Sequence, residues 1–215
     1  MIFYDIETSP LMASEMNDRM PKFKARANLK DEAKIEADIK EKRDKFFDEA
    51  ALSPFTGRVC AFGYATAEDK EVTLVHYNGR ENGEKAILIK FWNLYLNTQD
   101  SFVGFNTASF DLPFIIRRCY AHDITMPYDI YNQVYRKFGK RFIDIMDYWR
   151  LTNHQDRISL SNFAKHVGLK PKEESGKLFH EWIKGDEDDV KKAEKYLIND
   201  VELTRSVYNM IGLVP

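Results

Sequence analysis

Residues 1–8 read MIFYDIET, and the reading of this stretch decides the fold. Ile2, Phe3 and Tyr4 are apolar or aromatic and predict a buried strand at the start of the chain. Asp5 and Glu7 then interrupt it. Residues at i and i+2 of a strand project from the same face. Two carboxylates side by side on a buried strand repel each other and are costly to remove from water. A divalent cation relieves both costs, and so does a frayed strand end facing solvent. The pair becomes a metal site only if the rest of the chain supplies more ligands.

The composition bounds what those ligands can serve. At 215 residues the chain has length for one well-cored domain and an insertion. Hydrophobic residues make up 44% and charged residues 31%, as in ordinary globular proteins. A net charge of −2 excludes a strongly basic polyanion binder, so a nucleic-acid site needs local basic patches and metal ions. No apolar run reaches membrane-spanning length, and a strand starting at Ile2 leaves no room for a signal peptide. Cys60 and Cys119 fit buried reduced thiols, and a cytoplasmic location is expected. His76, His122, His154, His166 and His180 form no paired ligand motif, which leaves a carboxylate site for a hard cation.

Outward from the first strand, Ser9-Pro10 ends it, and residues 15–51 change character. Charge is dense there, and Leu29, Ile35, Ile39, Phe46 and Phe47 recur at roughly helical spacing, which predicts one or two amphipathic helices in an insertion. Residues 59–65 (VCAFGYA) and 71–77 (EVTLVHY) read as an antiparallel hairpin. Residues 83–97 carry a helical stripe of Ile87, Leu88, Phe91, Trp92, Leu94 and Tyr95. Residues 101–105 read as a short buried strand, a helix starts near Asp111 with Pro113 in its first turn, and residues 141–146 read as a last strand running into a helix. Beyond Leu160 the chain reads as helical: 160–167, 177–183 and 186–211. Strands first and helices alternating afterwards predict a mixed sheet with helices on both faces.

Two further acids stand out. Asp111 follows GFNTASF, just beyond a buried strand, although the helix dipole alone favours an acid there. Asp200 lies four residues after Tyr196 in KYLIND, so phenol and carboxylate share one helix face, as a plain surface pair also would. Asp144 and Asp147 compete with Asp111 as ligands, and Asp144 is also placed to cap the helix that follows it.

Taken together, Asp5 and Glu7, then Asp111, then Tyr196 with Asp200, resemble the three motifs of the DEDD 3′–5′ exonucleases in their order. DIET stands as the first motif. GFNTASFDLPFI, residues 104–115, is similar to the second motif of the proofreading domain of family B DNA polymerases. Tyr-x-x-x-Asp is the form of the tyrosine branch (DEDDy); the histidine branch would need His where Lys195 stands. SLSNFAKHVGL, residues 159–169, is also similar to a segment of that group. The resemblance runs to about residue 207 but leaves residues 15–51 uncovered, and with no length for polymerase palm or fingers it implies a stand-alone exonuclease.

The resemblance implies an RNase H-like fold: one domain over residues 1–215, a mixed five-stranded sheet with the second strand antiparallel, helices on both faces, and the 15–51 insertion. It implies two divalent cations, Mg²⁺ or Mn²⁺, about 3.5–4 Å apart on the scissile phosphate. Asp5 would bridge them, Glu7 and Asp200 would complete one site, Asp111 would anchor the other, and Tyr196 would orient the attacking water. The expected substrate is the 3′ end of a single-stranded nucleic acid, DNA rather than RNA, cut to nucleoside 5′-monophosphates. An RNase H-like endonuclease and a non-catalytic binding module on the same fold are the alternatives. Thr8, Asn106 and Phe110 are the expected substrate contacts; Phe110 either stacks on a base or packs in the core. For phosphates, Arg136–Arg141 is favoured over Arg117–Arg118 and Lys22–Lys30, with a solvated surface as the default reading of each.

Overall fold

The first strand, β1, runs Ile2–Pro10, and its alternation divides the core in two. Ile2, Tyr4 and Ile6 belong to one cluster of buried side chains, while Phe3 belongs to a second. The structure, a computed structural model, describes residues 1–76, 83–135, 141–172 and 176–212. Within these the chain divides into two compact units, residues 1–7 with 59–215, and residues 8–58.

The larger unit is built on a five-stranded sheet. The remaining strands are β2 (Gly57–Thr66), β3 (Thr73–His76), β4 (Phe102–Gly104) and β5 (Phe142–Asp144), in the spatial order β3-β2-β1-β4-β5. β4 runs parallel to β1 and β5 parallel to β4, while β3 is antiparallel to β2. Backbone bonds from Ala67 N to Met1 O and from Leu11 N to Thr56 O join opposite ends of β1 and β2, so β2 is the antiparallel strand, as predicted. Tyr77, the end of the predicted third strand, lies outside the described residues.

One sheet face is covered by α3 (Gly83–Leu96) and α4 (Asp111–Ala121), which bury Leu88, Phe91, Trp92, Phe114 and Ile115 against Tyr4, Phe62 and Phe102. The second cluster joins Phe3 and Val103 to Ile145 of α6 (Ile145–Arg150), Phe163 of α7 (Leu160–His166) and Val201 of α9 (Glu187–Met210). Helices on both faces make the three-layer α/β sandwich of an RNase H-like fold. Two short helices, α5 (Ile130–Tyr135) and α8 (Phe179–Trp182), complete this unit. α5 has no counterpart in the sequence reading, because six residues are too few to display a helical period. Cys60 and Cys119 are buried thiols with no disulfide between them.

α3 and α4 are tied by a buried ion pair. Glu84 accepts from Arg118 at 2.7 and 2.8 Å, from the Val59 backbone N–H at 2.8 Å, and faces His122 Nε2 at 2.7 Å. Burial works to raise the Glu84 carboxyl, but these partners outweigh it and hold the group below its ordinary value. Arg118 is therefore committed to the interior and is neither the solvated surface nor the phosphate grip between which the sequence left it.

The smaller unit holds α1 (Ala13–Met16) and α2 (Glu32–Glu49). The predicted helix is present, but its buried residue is Asp38; Ile35, Ile39 and Phe46 are half-buried and Phe47 is exposed. Asp38 takes Arg26 Nε at 2.5 Å, Lys42 Nζ at 2.8 Å and the Arg26 N–H at 3.0 Å. Its carboxyl is lowered to about 2, chiefly by Lys42. The apolar core here is small: Leu11, Met16 and Ala50, with Phe46 against them. Among the described residues no helix is long and apolar enough to cross a membrane.

Candidate active site

β1 presents Asp5 and Glu7 on the face opposite Tyr4 and Ile6, as the strand period requires. The structure brings Asp200 of α9 to them. One ligand oxygen from each of Asp5, Glu7 and Asp200 lies within 4.8 Å of the others. Sequence puts Asp200 nearly two hundred residues away; packing closes the gap, because Leu197 and Val201 on the same helix turn inward, both against the side-chain space of Gly63 on β2. A Cβ on Gly63 would sit 2.9 Å from Leu197 Cγ, so only glycine lets α9 come this close to the sheet.

Asp111 stands outside that trio but next to it. Its Oδ1 accepts from the Ile6 backbone N–H at 3.3 Å, one residue from Asp5 along β1. A second tie, from Tyr4 hydroxyl to Thr107 Oγ1, fastens the β4–α4 loop to the residue on the other side of Asp5. β1 and the start of α4 are thus clamped on both sides of Asp5. Gly104 gives Thr107 its room, since a Cβ there would lie 2.9 Å from Thr107 Cβ.

Packing so many acids together strains their ionisation. Burial raises the Asp5 carboxyl well above its ordinary value, and Asp111, Asp200 and Glu7 add to the effect. Glu7 is raised by burial and by Asp200. Burial pushes Asp111 up to about 7. Burial also raises Asp200, while Lys172 pulls it back. A hard divalent cation suits this donor set: the ligands are carboxylate oxygens, they converge, and among the described residues Lys172 is the cation that donates to them. Asp5, Glu7 and Asp200 are the residues that could hold it, with Asp111 beside them.

Lys172 is the site residue that the sequence did not reveal. Its ammonium donates to Asp200 Oδ1 at 2.7 Å, to Oδ2 at 2.8 Å and to Tyr196 Oη at 2.5 Å, and it stands 4.4 Å from the Tyr196 ring centroid. Its charge also opposes, without cancelling, the rise of Asp5 and Glu7. No fixed spacing links Lys172 to Asp200, so no sequence motif pointed to it. Tyr196 is further enclosed by Phe179 and Trp182, with edge-on rings 6.1 and 6.2 Å away. A Cβ on Gly176 would fall 2.7 Å from the phenol oxygen. Burial, then Asp200 and Glu7, raise the phenol far above its ordinary value. Tyr196 therefore keeps its proton at neutral pH.

The other predicted residues divide. Asp144 is not a free ligand: its carboxylate accepts from the N–H groups of Asn106 at 2.7 Å, Ala108 at 3.0 Å and Met146 at 3.0 Å, so it caps α6 and holds the β4–α4 loop. Asn106 adopts a φ of 60°, and its Oδ1 accepts from buried Arg150 at 3.1 Å. Phe110 is half-buried against the α3–α4 core, 5.5 Å from Phe114. Thr8 follows Glu7 on β1 and is half-buried. Of the favoured basic cluster, residues 136–140 lie outside the described residues. Arg141 stacks 3.9 Å over Tyr95 and donates to the carbonyls of Tyr95, Thr98 and Asp100, so it is structural, and neither the favoured phosphate grip nor the default solvated surface describes it.

Fold and site together define an RNase H-like protein with a carboxylate centre. The RNase_H_2 family of the RNase_H superfamily matches residues 45–211, and the chain belongs to that superfamily. The match contains Asp111, Tyr196 and Asp200 and begins after β1. No curated protein matches the sequence. Among solved structures, the chain is similar to the family B DNA polymerase from the hyperthermophilic archaeon Pyrobaculum calidifontis, with a TM-score of 0.64 and 15% identity. The likeness covers 98% of this chain and 24% of that polymerase, and at this identity it speaks for the fold alone.

Proposed function

We propose that this chain is a divalent-metal-dependent 3′–5′ exonuclease of the tyrosine branch, acting on single-stranded nucleic acid, DNA in preference to RNA, and releasing nucleoside 5′-monophosphates. One observation carries the reading: the carboxylates of Asp5, Glu7 and Asp200 converge within 4.8 Å, with Tyr196 joined to Asp200 through Lys172. Membership of the RNase H superfamily supports nuclease chemistry in general. When bound, Mg²⁺ or Mn²⁺ supplies Lewis-acid polarisation of the phosphate and acidifies a water.

The chain's own groups do the rest. Asp5, Glu7 and Asp200 would hold the cations, and Asp111 would contribute from beside them. Water adds to the scissile phosphorus as the bond to the penultimate nucleotide's 3′ oxygen breaks; the water gives up one proton to solvent and the leaving 3′ oxygen takes one up from solvent. Tyr196 stays protonated, so it orients the water by hydrogen bonding and does not act as the base. Lys172 donates to both oxygens of Asp200 and offsets part of the burial that disfavours its charge. Asn106 and Phe110, on the loop that leads to Asp111, meet the terminal nucleotide, and Thr8 meets it from β1.

The test is a gel assay of 5′-labelled single strands of DNA and RNA with Mg²⁺ or Mn²⁺. A ladder shrinking from the 3′ end is expected, absent in Asp200→Ala and slowed about 10²–10⁴-fold in Tyr196→Phe, the range of a proton-handling group. Internal cuts in a circular strand would replace this reading with an endonuclease. No cleavage of any strand with either metal would leave a binding module.

A further inference from the structure

α9 carries Tyr196 and Asp200 at the catalytic centre, and a cleft of about 660 Å³ runs along the same helix. Five lysines line it: Lys170, Lys172, Lys191, Lys192 and Lys195. Lys191, Lys195 and Asn199 recur every four residues and so form one row on the helix, with Tyr196 adjoining it and also lining the cleft. The row continues to Ser206, fifteen residues beyond Lys191, about 22 Å at 1.5 Å per residue.

The charge of this cleft is not an average property of the surface. The whole chain has a net charge of −2, yet the lining holds five lysines against one acid, Glu202. Glu202 is spent on Arg205 at 2.6 Å, so it subtracts little. Lys191 faces Glu187 at 2.7 Å, a fully surface pair worth little to either partner. Lys192 lies 4.1 Å from the Trp182 ring centroid, which steadies its ammonium without neutralising it. Lys172 and Tyr196 belong to both the cleft and the catalytic cluster, so the two are continuous.

Resting on the exonuclease reading, we infer that this cleft is the track for the sugar–phosphate backbone of the strand whose 3′ end reaches Tyr196. Lys191 and Lys195 on one row of α9, Lys192 beside them, and Lys170 and Lys172 lining the same cleft together suit a polyanion. Lysine offers point charges and no planar base-reading fork, so the grip is indifferent to sequence and sensitive to salt. Trp182 is already covered by Lys192, so the track holds backbone and not bases.

The experiment is fluorescence anisotropy of a 5′-labelled strand of about 12 nucleotides, within the usual span of single-strand sites. Ca²⁺ replaces the catalytic metal, and salt is varied over roughly 50–200 mM. The triple variant Lys191→Gln/Lys192→Gln/Lys195→Gln should lower the slope of log affinity against log salt by about 2, at about 0.7 for each single-strand phosphate that is no longer neutralised. Lys195→Gln alone should lower it by about 0.7. Lys40→Gln/Lys45→Gln on α2 should leave it unchanged, and thermal melts should show all three variants folded. A wild-type slope in the triple variant, with 3′ trimming by the wild type intact, overturns the track and leaves the exonuclease reading standing. A reduced slope with no trimming by the wild type supports the track and removes the exonuclease reading. No strand binding by the wild type at the lowest salt overturns both.

Discussion

Lys172 and the acids compete for the same charge balance. Its ammonium sits on both oxygens of Asp200, where a cation would also draw them. Removing it should therefore separate metal binding from turnover. Lys172→Ala is expected to bind Mn²⁺ at least as tightly as the wild type, by calorimetric titration, while trimming more slowly. Weaker Mn²⁺ binding would mean that Lys172 orders the site and does not compete in it. Asp144 makes the opposite point at the same scale. It lies as deep as the candidate ligands, and burial pushes it up to about 6, yet three backbone N–H groups already use it. What separates a ligand from a cap is the direction in which the lone pairs are engaged.

At the scale of elements, the Glu84–Arg118 pair locks α3 to α4, and α4 begins with Asp111. Its pH dependence has a definite sign. The folded carboxyl lies below its ordinary value of 4.5, so its contribution is present above that value and is lost as pH falls through the folded value. Glu84→Gln should cost about 3–5 kcal/mol at neutral pH by leaving Arg118 buried without its counter-ion. The variant should also lose less stability than the wild type on acidification below about pH 4.5. Chemical denaturation at several pH values measures both; parallel curves for the two proteins would deny the pair its role. In the smaller unit, α2 illustrates how an amphipathic pattern can mislead. Its apolar residues are spaced for a buried stripe, but the position taken inside is Asp38, because Arg26 and Lys42 supply its counter-charges.

For the whole molecule, the site should cost stability until a cation arrives. Asp5, Glu7, Asp111 and Asp200 all have raised carboxyls. Raised groups favour folding below their unfolded values near 4, and that benefit is lost as pH rises through the folded values, about 7 for Asp111. The metal-free protein should thus become less stable in this respect between about pH 4 and 7, in opposition to Glu84. Mn²⁺ should raise the melting temperature most at the upper end of that window. Asp5→Asn should stabilise the metal-free protein by on the order of 1 kcal/mol while abolishing cleavage. Melting curves with and without Mn²⁺ test this; an Asp5→Asn variant that melts below the wild type without metal would sink it.

The sequence alone determined the sheet and its helical layers. Strand and helix periods depend on neighbouring residues, and the alternation of Ile2, Phe3 and Tyr4 or the stripe from Ile87 to Tyr95 can be read without knowing what they touch. It also carried Asp5, Glu7, Asp111, Tyr196 and Asp200 as candidates, but through the order in which they resemble three exonuclease motifs, since each local pattern taken singly also fits a solvent-facing acid, a helix-dipole acid or a surface pair. Tertiary structure alone decided which charges were available. Arg118 and Arg141, open in sequence to a solvated surface or a phosphate grip, were consumed by Glu84 and by Tyr95 with nearby carbonyls, while Lys172 and the lysines along α9 were brought to one cleft. Charge pairing depends on distances between residues far apart in the chain, and no local period records them.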